Sequence, residues 1–362
     1  MTAPAPERPA TPTPVARRPS SRRGPLVLGG LGVALVLAVL LGVGVGALPL
    51  PPGGVLATLL DRALRPLGLG VPGGLDPTAS GVLLQLRLPR VLLAAVVGAA
   101  LAIAGAGYQG VFRNPLADPY LLGAAGGAGL GATLVIAVSP VRSLGPIGLV
   151  PVAAFVGALV GVGASFLLAR AVGGSTGATL LLSGVAVASF LGAAQTLLQQ
   201  QRSESLREVY SWILGQLGSA SWSDLGLVLP YLVPAVVVLL VLGRPLDVLA
   251  VGDDEARTLG LDPARVRLLV IVAASLATAS AVAVSGLIGF VGLVVPHLLR
   301  GLVGPGHRLL LPACLLGGAV FLVLADVLAR TVLAPAELPI GVVTAFVGAP
   351  FFAGLLWSLN RR

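Results

Sequence analysis

About ten long apolar stretches, almost free of charge, alternate along this chain with short polar breaks that carry arginine. Charged residues make up 10% of its 362 positions and hydrophobic ones 56%. A water-soluble core of that size cannot hide so much apolar surface. A bilayer can, because about 20 apolar residues cross it as a helix with every backbone amide bonded internally. The expected fold is an all-α polytopic membrane protein of about ten transmembrane helices. The expected spans are 26–48, 91–110, 119–138, 147–171, 177–199, 226–243, 264–286, 289–303, 309–330 and 340–359. Little room for a loop separates the seventh from the eighth, and Gly286, Gly289 and Gly292 interrupt the run, so a short or kinked helix is expected there.

All 23 basic residues are arginine, against 14 acidic ones, a net charge of +9. An excess of this kind can signal nucleic acid, but these arginines sit in the gaps between apolar runs, so no nucleic acid partner is expected. With the N-terminus inside, eight fall outside: Arg62, Arg65, Arg87, Arg90, Arg142, Arg202, Arg207 and Arg330. The other 15 fall inside, as the positive-inside rule requires, with both termini cytoplasmic. The absence of lysine excludes a phosphate-binding P-loop, whose motif ends in Lys-Ser/Thr. The glycine-rich run 123–132 therefore reads as a close helix-packing surface. Cys314 is alone and lies in an apolar run, so neither an internal disulfide nor a cysteine metal site is available. Residues 1–24, rich in Pro, Ala, Thr and Arg, read as a disordered cytoplasmic arm, and 25–362 as one transmembrane domain. The run from Pro25 is too long for a signal peptide and reads as a retained first span.

The outer connections 49–86 and 200–225 are longer than turns. The first is Pro/Gly-rich. The second carries Arg202, Glu204, Arg207 and Glu208, then Trp212 and Trp222 as expected interfacial anchors. The largest inner connection, about 244–267, is the most acidic point of the chain. There Gly252 precedes Asp253, Asp254 and Glu255, placed in the first turn of a short helix where the macrodipole favours anions. Ala256 and Leu259 put a small apolar stripe on one face, Arg257 lies between them, and Gly260 ends the helix. Asp262 and Pro263 then supply an N-cap and first position for the next span. A solvated loop and a preformed knob for a cytoplasmic partner are both open on spacing alone. Asp118 and Pro119 repeat the cap signature in a tight inner turn.

Asp326 stands four residues before Arg330, which allows an intrahelical ion pair at the outer interface. Glu337 is placed to cap the last helix. His297 and His307, the only histidines, come without a carboxylate cluster, so a packed histidine is expected at His297 and no metal site is expected.

The strings RLPR (87–90), GYQGVFRNPLADPYLLG (107–123), LLLSGVA (180–186), WILGQLGSASW (212–222), VGDDEARTLGL (251–261), GFVGLVVPH (289–297) and ELPIGVVTAFVGAPFF (337–352) occur in this order. Together they closely resemble the permease family of ABC importers for iron–siderophores, heme and vitamin B12. The resemblance covers nearly everything from Arg87 to Phe352. It implies a homodimer, or a heterodimer with a close paralogue, in the inner (cytoplasmic) membrane, in contact with lipid. Two separate ATPase subunits, which bind the ATP and Mg, would sit beneath it, and an extracytoplasmic substrate-binding protein would dock above. The chain itself would then be non-catalytic and carry no cofactor. In such a permease Gly252, Asp253, Asp254, Glu255, Ala256, Arg257, Leu259 and Gly260 would couple to the ATPase. Arg87, Arg90 and Arg330 would receive glutamates of the binding protein in a basic rim.

An ion-coupled secondary transporter is the alternative. Coupling of that kind usually needs carboxylates deep in spans, and only Asp326 and Glu337 are candidates, both near span ends. An intramembrane enzyme lacks any nucleophile–base or metal set. Among substrates, iron–siderophore is preferred on family frequency, with heme and cobalamin as alternatives.

Overall fold

The computed structural model describes residues 23–46, 50–141, 143–144, 147–173 and 177–359. The expected arm lies outside these residues except for Arg23 and Gly24, which already belong to the first helix. Arg142 is also outside them. The helices in chain order are α1 Arg23–Gly44, α2 Pro52–Leu64, α3 Pro77–Gly81, α4 Leu88–Phe112, α5 Ala124–Val138, α6 Leu149–Ala171, α7 Gly177–Gln201 and α8 Leu206–Ile213. They continue with α9 Trp222–Val241, α10 Gly243–Val251, α11 Asp253–Thr258, α12 Pro263–Ser285, α13 Val291–Val303, α14 His307–Thr331 and α15 Ile340–Leu359. Among the described residues, seven helical stretches are long and apolar enough to cross a membrane. Three shorter apolar helices, α5, α13 and α15, complete the expected set of ten.

Two expectations need correction. The Pro/Gly-rich stretch 49–86 is not only loop: it contains α2 and α3, and Pro52 at the first position of α2 suits a helix start. The second span begins earlier than expected. Asp76 accepts a 2.8 Å hydrogen bond from the Ala79 amide to start α3, which runs through a π-helical turn, Val82–Arg87, directly into α4.

The core is built around α4, which packs on α9, α10, α12, α13 and α14. Its middle is fully buried alanine, leucine and isoleucine, including Ala100, Leu101 and Ile103. Small residues set the helix separations. A Cβ on Gly98 would strike the backbone oxygen of Gly318 in α14, and one on Gly318 would strike that of Gly98. Gly123 just before α5, and Gly127 and Gly131 on it, meet Gly161, Gly157 and Ala153 of α6 in the same way, which bears out the packing role expected for 123–132. The outer faces of α1, α6 and α7 expose Val33, Leu37, Leu167, Leu182 and Phe190, side chains that need lipid or protein around them.

The short helix expected here is α13, and between α12 and α13 the chain breaks rather than kinks. Gly286 adopts φ +68°, where a Cβ is disfavoured, and Phe290 holds φ +69° at the start of α13. Irregular backbone inside a membrane protein must find its hydrogen bonds within the protein. Here the Tyr120 hydroxyl accepts from the Ile288 amide (3.1 Å) and donates to the Ile288 carbonyl (3.2 Å). Gln109 Nε2 donates to Gly292 O at 3.1 Å, and the Gln216 amide to Ser285 O at 2.9 Å. Asp118 does form the expected turn, accepting from the Tyr120 amide at 2.8 Å. The 3₁₀ turn Pro119–Leu122 that it caps also carries Tyr120 inward to this break.

Candidate functional site

The α4 helix, about 37 Å long at 1.5 Å per residue, separates two charged clusters. Arg90 lies in its first turn and Arg113 follows its last residue.

At the Arg90 end, the three expected arginines come together, but not as an exposed rim. Arg87 and the Arg330 side chain are each 7% exposed, and the Arg90 side chain 12%. Two of them serve the C-terminal end of α1, whose last carbonyls have no helical partner. Arg87 Nη1 donates to Val43 O and Gly44 O, each at 3.0 Å. Arg330 donates to Val45 O at 3.1 Å and Gly42 O at 2.9 Å. Cations at this point also complement the negative end of the helix dipole. Arg90 instead grips Glu337 with both terminal nitrogens, at 3.0 and 2.9 Å, and Asp326 Oδ1 with Nε at 3.0 Å.

The expected Asp326–Arg330 pair is present: Arg330 Nε lies 3.0 Å from Asp326 Oδ2 and donates to the Asp326 backbone oxygen at 3.3 Å. Asp326 is 1% exposed and therefore sits between two guanidinium groups. Glu337 is not the helix cap expected for it; it neutralises Arg90, and 47% of its side chain remains exposed. A small cavity of about 120 Å³ opens beside this pair, lined by Gln216, Gly218 and Pro339 among others. Trp212 is buried, not an interfacial anchor, because its ring packs in the α5–α6–α12 cluster. Trp222 is half-exposed as expected, and its indole donates to Leu84 O at 3.0 Å.

At the opposite end the acidic connection folds into two helices, α10 and α11, rather than one. Gly252 joins them in an extended conformation with the Glu255 carboxylate folded back against it, so a side chain there would displace Glu255. Asp253, Asp254 and Glu255 occupy the first turn of α11 as expected. Gly260, at φ +78°, ends it: the Gly260 amide bonds to Arg257 O at 2.9 Å and the Leu261 amide to Ala256 O at 3.0 Å. This is the paired closure that a left-handed C′ residue permits. Asp262 caps α12 through the amides of Ala264 (3.0 Å) and Arg265 (3.2 Å).

The expected apolar stripe does not form. Ala256 is fully buried and points into the bundle, whereas Leu259 is 70% exposed. The exposed face of α11 is Asp254, Glu255, Arg257 and Leu259, with Arg257 paired to Asp254 at 2.7 Å.

What ties α11 down was not read from the sequence. Asp253 Oδ1 accepts from Arg113 at 2.6 Å and from Arg267 at 2.5 Å, linking the end of α4 and the start of α12. The hydrogen bond from Arg267, then the charges of both guanidiniums, hold the Asp253 carboxyl below its ordinary value. Arg113 also donates to Leu249 O in the last turn of α10. On the other side of α10, Asp247 accepts from the backbone amide (2.6 Å) and Nδ1 (2.9 Å) of His307, which fastens α10 to the start of α14. The one local signal was Arg113 itself, a basic residue next to a capped turn. Its partner lies 140 positions away. His297 is half-buried with its ring 5.6 Å from that of Phe351, edge to face, in keeping with the packed role expected of it. Among the described residues no cluster of three or more His, Cys, Asp or Glu could hold a metal ion.

Comparison with known proteins gives one consistent set of relatives. The sequence profile of the FecCD transport family matches residues 34–358. The ABC transporter permease protein YvrB of Bacillus subtilis, itself described as uncharacterized, is 42% identical over 90% of this chain and 92% of its own length. The cobalamin import system permease protein BtuC of Halobacterium salinarum is 43% identical over 87% of this chain and 83% of its own. The hemin transport system permease protein HmuU of Yersinia pestis is 43% identical over 77% and 83%. A solved structure described as an inward-facing conformation of a metal-chelate type ABC transporter superposes with a TM-score of 0.79 at 32% identity, covering 92% of this chain and 99% of that one. With ten apolar helices among its described residues and this match over most of its length, the chain belongs to the FecCD transport family.

Proposed function

We propose that this chain is the membrane permease of an ATP-driven importer that moves a metal chelate across the inner membrane into the cytoplasm. The observation that carries this reading is the agreement of relatives whose names specify cobalamin and hemin import with a compact, cross-braced α10–α11 unit at one end of the bundle. The arginine imbalance supports placing that end, and both termini, in the cytoplasm. There the exposed face of α11 couples to a separate ATPase, two per pair of permeases, and those subunits hold the ATP and Mg. The pair is a homodimer or joins a close paralogue. An extracytoplasmic binding protein docks at the opposite end, where its carboxylates take the place of Glu337 at Arg90, with the buried Arg87 and Arg330 adding positive charge behind it. Iron–siderophore is the preferred cargo, with heme and cobalamin behind it.

An ion-coupled mechanism finds no support in the carboxylates it would use. Asp326 is fixed between Arg90 and Arg330, and Glu337 is bound to Arg90. The test is uptake into proteoliposomes containing this chain with its ATPase. ATP- and binding-protein-dependent accumulation of a chelate supports the reading; accumulation driven by a proton gradient without the ATPase refutes it.

A further inference from the structure

A sizeable cavity in the described structure opens beside the Asp253 tether, away from the exposed face of α11 and from the Arg90 cluster. It measures about 530 Å³ and lies between α4, α6, α7 and α12, beside the end of the bundle that carries Asp253. Three arginines from three helix ends line it: Arg113 after α4, Arg170 in the last turn of α6 and Arg267 near the start of α12. Asp253 is the one carboxylate among its lining residues, so the site carries a net charge of about +2.

That carboxylate leaves donors over. Each guanidinium has five N–H groups, and Arg113 and Arg267 share a single oxygen of Asp253. Arg170 is exposed and has no ion-pair partner among the described residues. Behind the charges the walls are apolar, formed by Phe166, Leu180, Leu268 and Ile271. The neighbouring outward faces of α6 and α7 are apolar too: Leu167, Val172 and Leu182 are 69–71% exposed.

A cationic mouth at the ends of spanning helices, backed by an apolar chamber next to lipid-facing surface, matches one chemistry. An anionic head group satisfies the arginines and acyl carbons fill the chamber. Basic pockets between spanning helices bind such head groups for this reason. We propose that this cavity binds an anionic phospholipid, with its phosphate at Arg113, Arg170 and Arg267 and its first acyl carbons against Leu180 and Ile271. A free anion would gain nothing from the apolar walls, and a zwitterionic lipid would set its own cation against the arginines. The volume lies within the range of sites that enclose a molecule of moderate size. The inference rests on the membrane-spanning fold and not on the importer reading.

The test uses the full chain purified in detergent and stripped of lipid, titrated with phosphatidylglycerol and with phosphatidylcholine of identical acyl chains, and read by native mass spectrometry. Phosphatidylglycerol is expected to bind about tenfold more tightly, a difference of about 1.4 kcal/mol. Arg170→Gln, which touches neither proposed contact surface, is expected to remove most of that preference. Leu180→Trp, which fills the apolar part, is expected to weaken both lipids. If Leu180→Trp does not fold, the Arg170→Gln result decides alone. Equal binding of the two lipids, an unchanged preference in Arg170→Gln, or displacement of the lipid by millimolar inorganic phosphate would each overturn the proposal.

Discussion

Arg90 and Glu337, 247 positions apart, are joined by two hydrogen bonds of 3.0 and 2.9 Å at the end of the bundle proposed to meet a binding protein. A carboxylate of the chain itself thus already occupies the arginine that an incoming carboxylate would seek. Docking there becomes an exchange of one carboxylate for another, in which Glu337, the more exposed partner, is the group able to leave.

Glu337→Gln should therefore free Arg90 and raise the positive charge of this end. Binding-protein association is expected to speed up about two- to tenfold at low salt, with the gain shrinking as salt is added. Stopped-flow or surface-resonance kinetics at two ionic strengths check this. A slower or unchanged rate contradicts it.

Asp326 has the opposite character, because it is buried and cannot leave. Asp326→Asn would leave Arg90 and Arg330 facing each other with one counter-charge fewer, and removing one member of a buried ionic set costs about 3–5 kcal/mol. A large fall in thermal unfolding temperature in detergent is expected, well beyond that of Glu337→Gln. Equal stability of the two variants would show that the burial of Asp326 carries no such weight.

On the other face of the molecule, Glu255→Arg and Arg257→Glu alter exposed charges of α11 and should leave folding intact while lowering substrate transported per ATP. Ala256→Trp would act differently: Ala256 is fully buried, and overpacking there costs about 1–3 kcal/mol of stability. Coupling ratios and melting curves measured together separate these outcomes. A stable Ala256→Trp with intact coupling would contradict the packing described for α11.

The Asp253 tether also fixes a pH dependence. Its carboxyl is held below its ordinary value by Arg267 and Arg113, so the tether contributes fully above the unfolded-state value of about 3.9. It is lost only as pH falls through the lower folded-state value. The α10–α11 unit should accordingly keep its amide-exchange protection unchanged from about pH 5 to 8. Asp253→Asn should loosen it at every pH. Protection that already falls between pH 7 and 5 would point to another group.

The sequence disclosed those features whose cause is local. Asp262–Pro263 and Gly260 were readable because a cap needs only its neighbours in the chain. The run 123–132 was readable because glycine every fourth residue in an apolar helix has a packing use. Asp76–Pro77 carries the same cap signature as Asp118–Pro119 and Asp262–Pro263, yet the surrounding Pro/Gly composition masked α3. Arginines at a span end look like an exposed rim until the chain is folded. Only then do the carbonyls of Gly42, Val43, Gly44 and Val45 come within their reach. Arg113, Asp253 and Arg267 escaped for the same reason, since nothing in their immediate surroundings records which ends of which helices meet.

The most direct test of the importer account is chelate uptake into proteoliposomes holding this chain alone or with its cognate ATPase, each with binding protein outside and ATP inside. Uptake and ATP turnover should appear only with the ATPase present, and the lone chain should neither bind nor hydrolyse ATP. ATP turnover by the lone chain, or chelate accumulation driven by a proton gradient in its sole presence, would contradict the account.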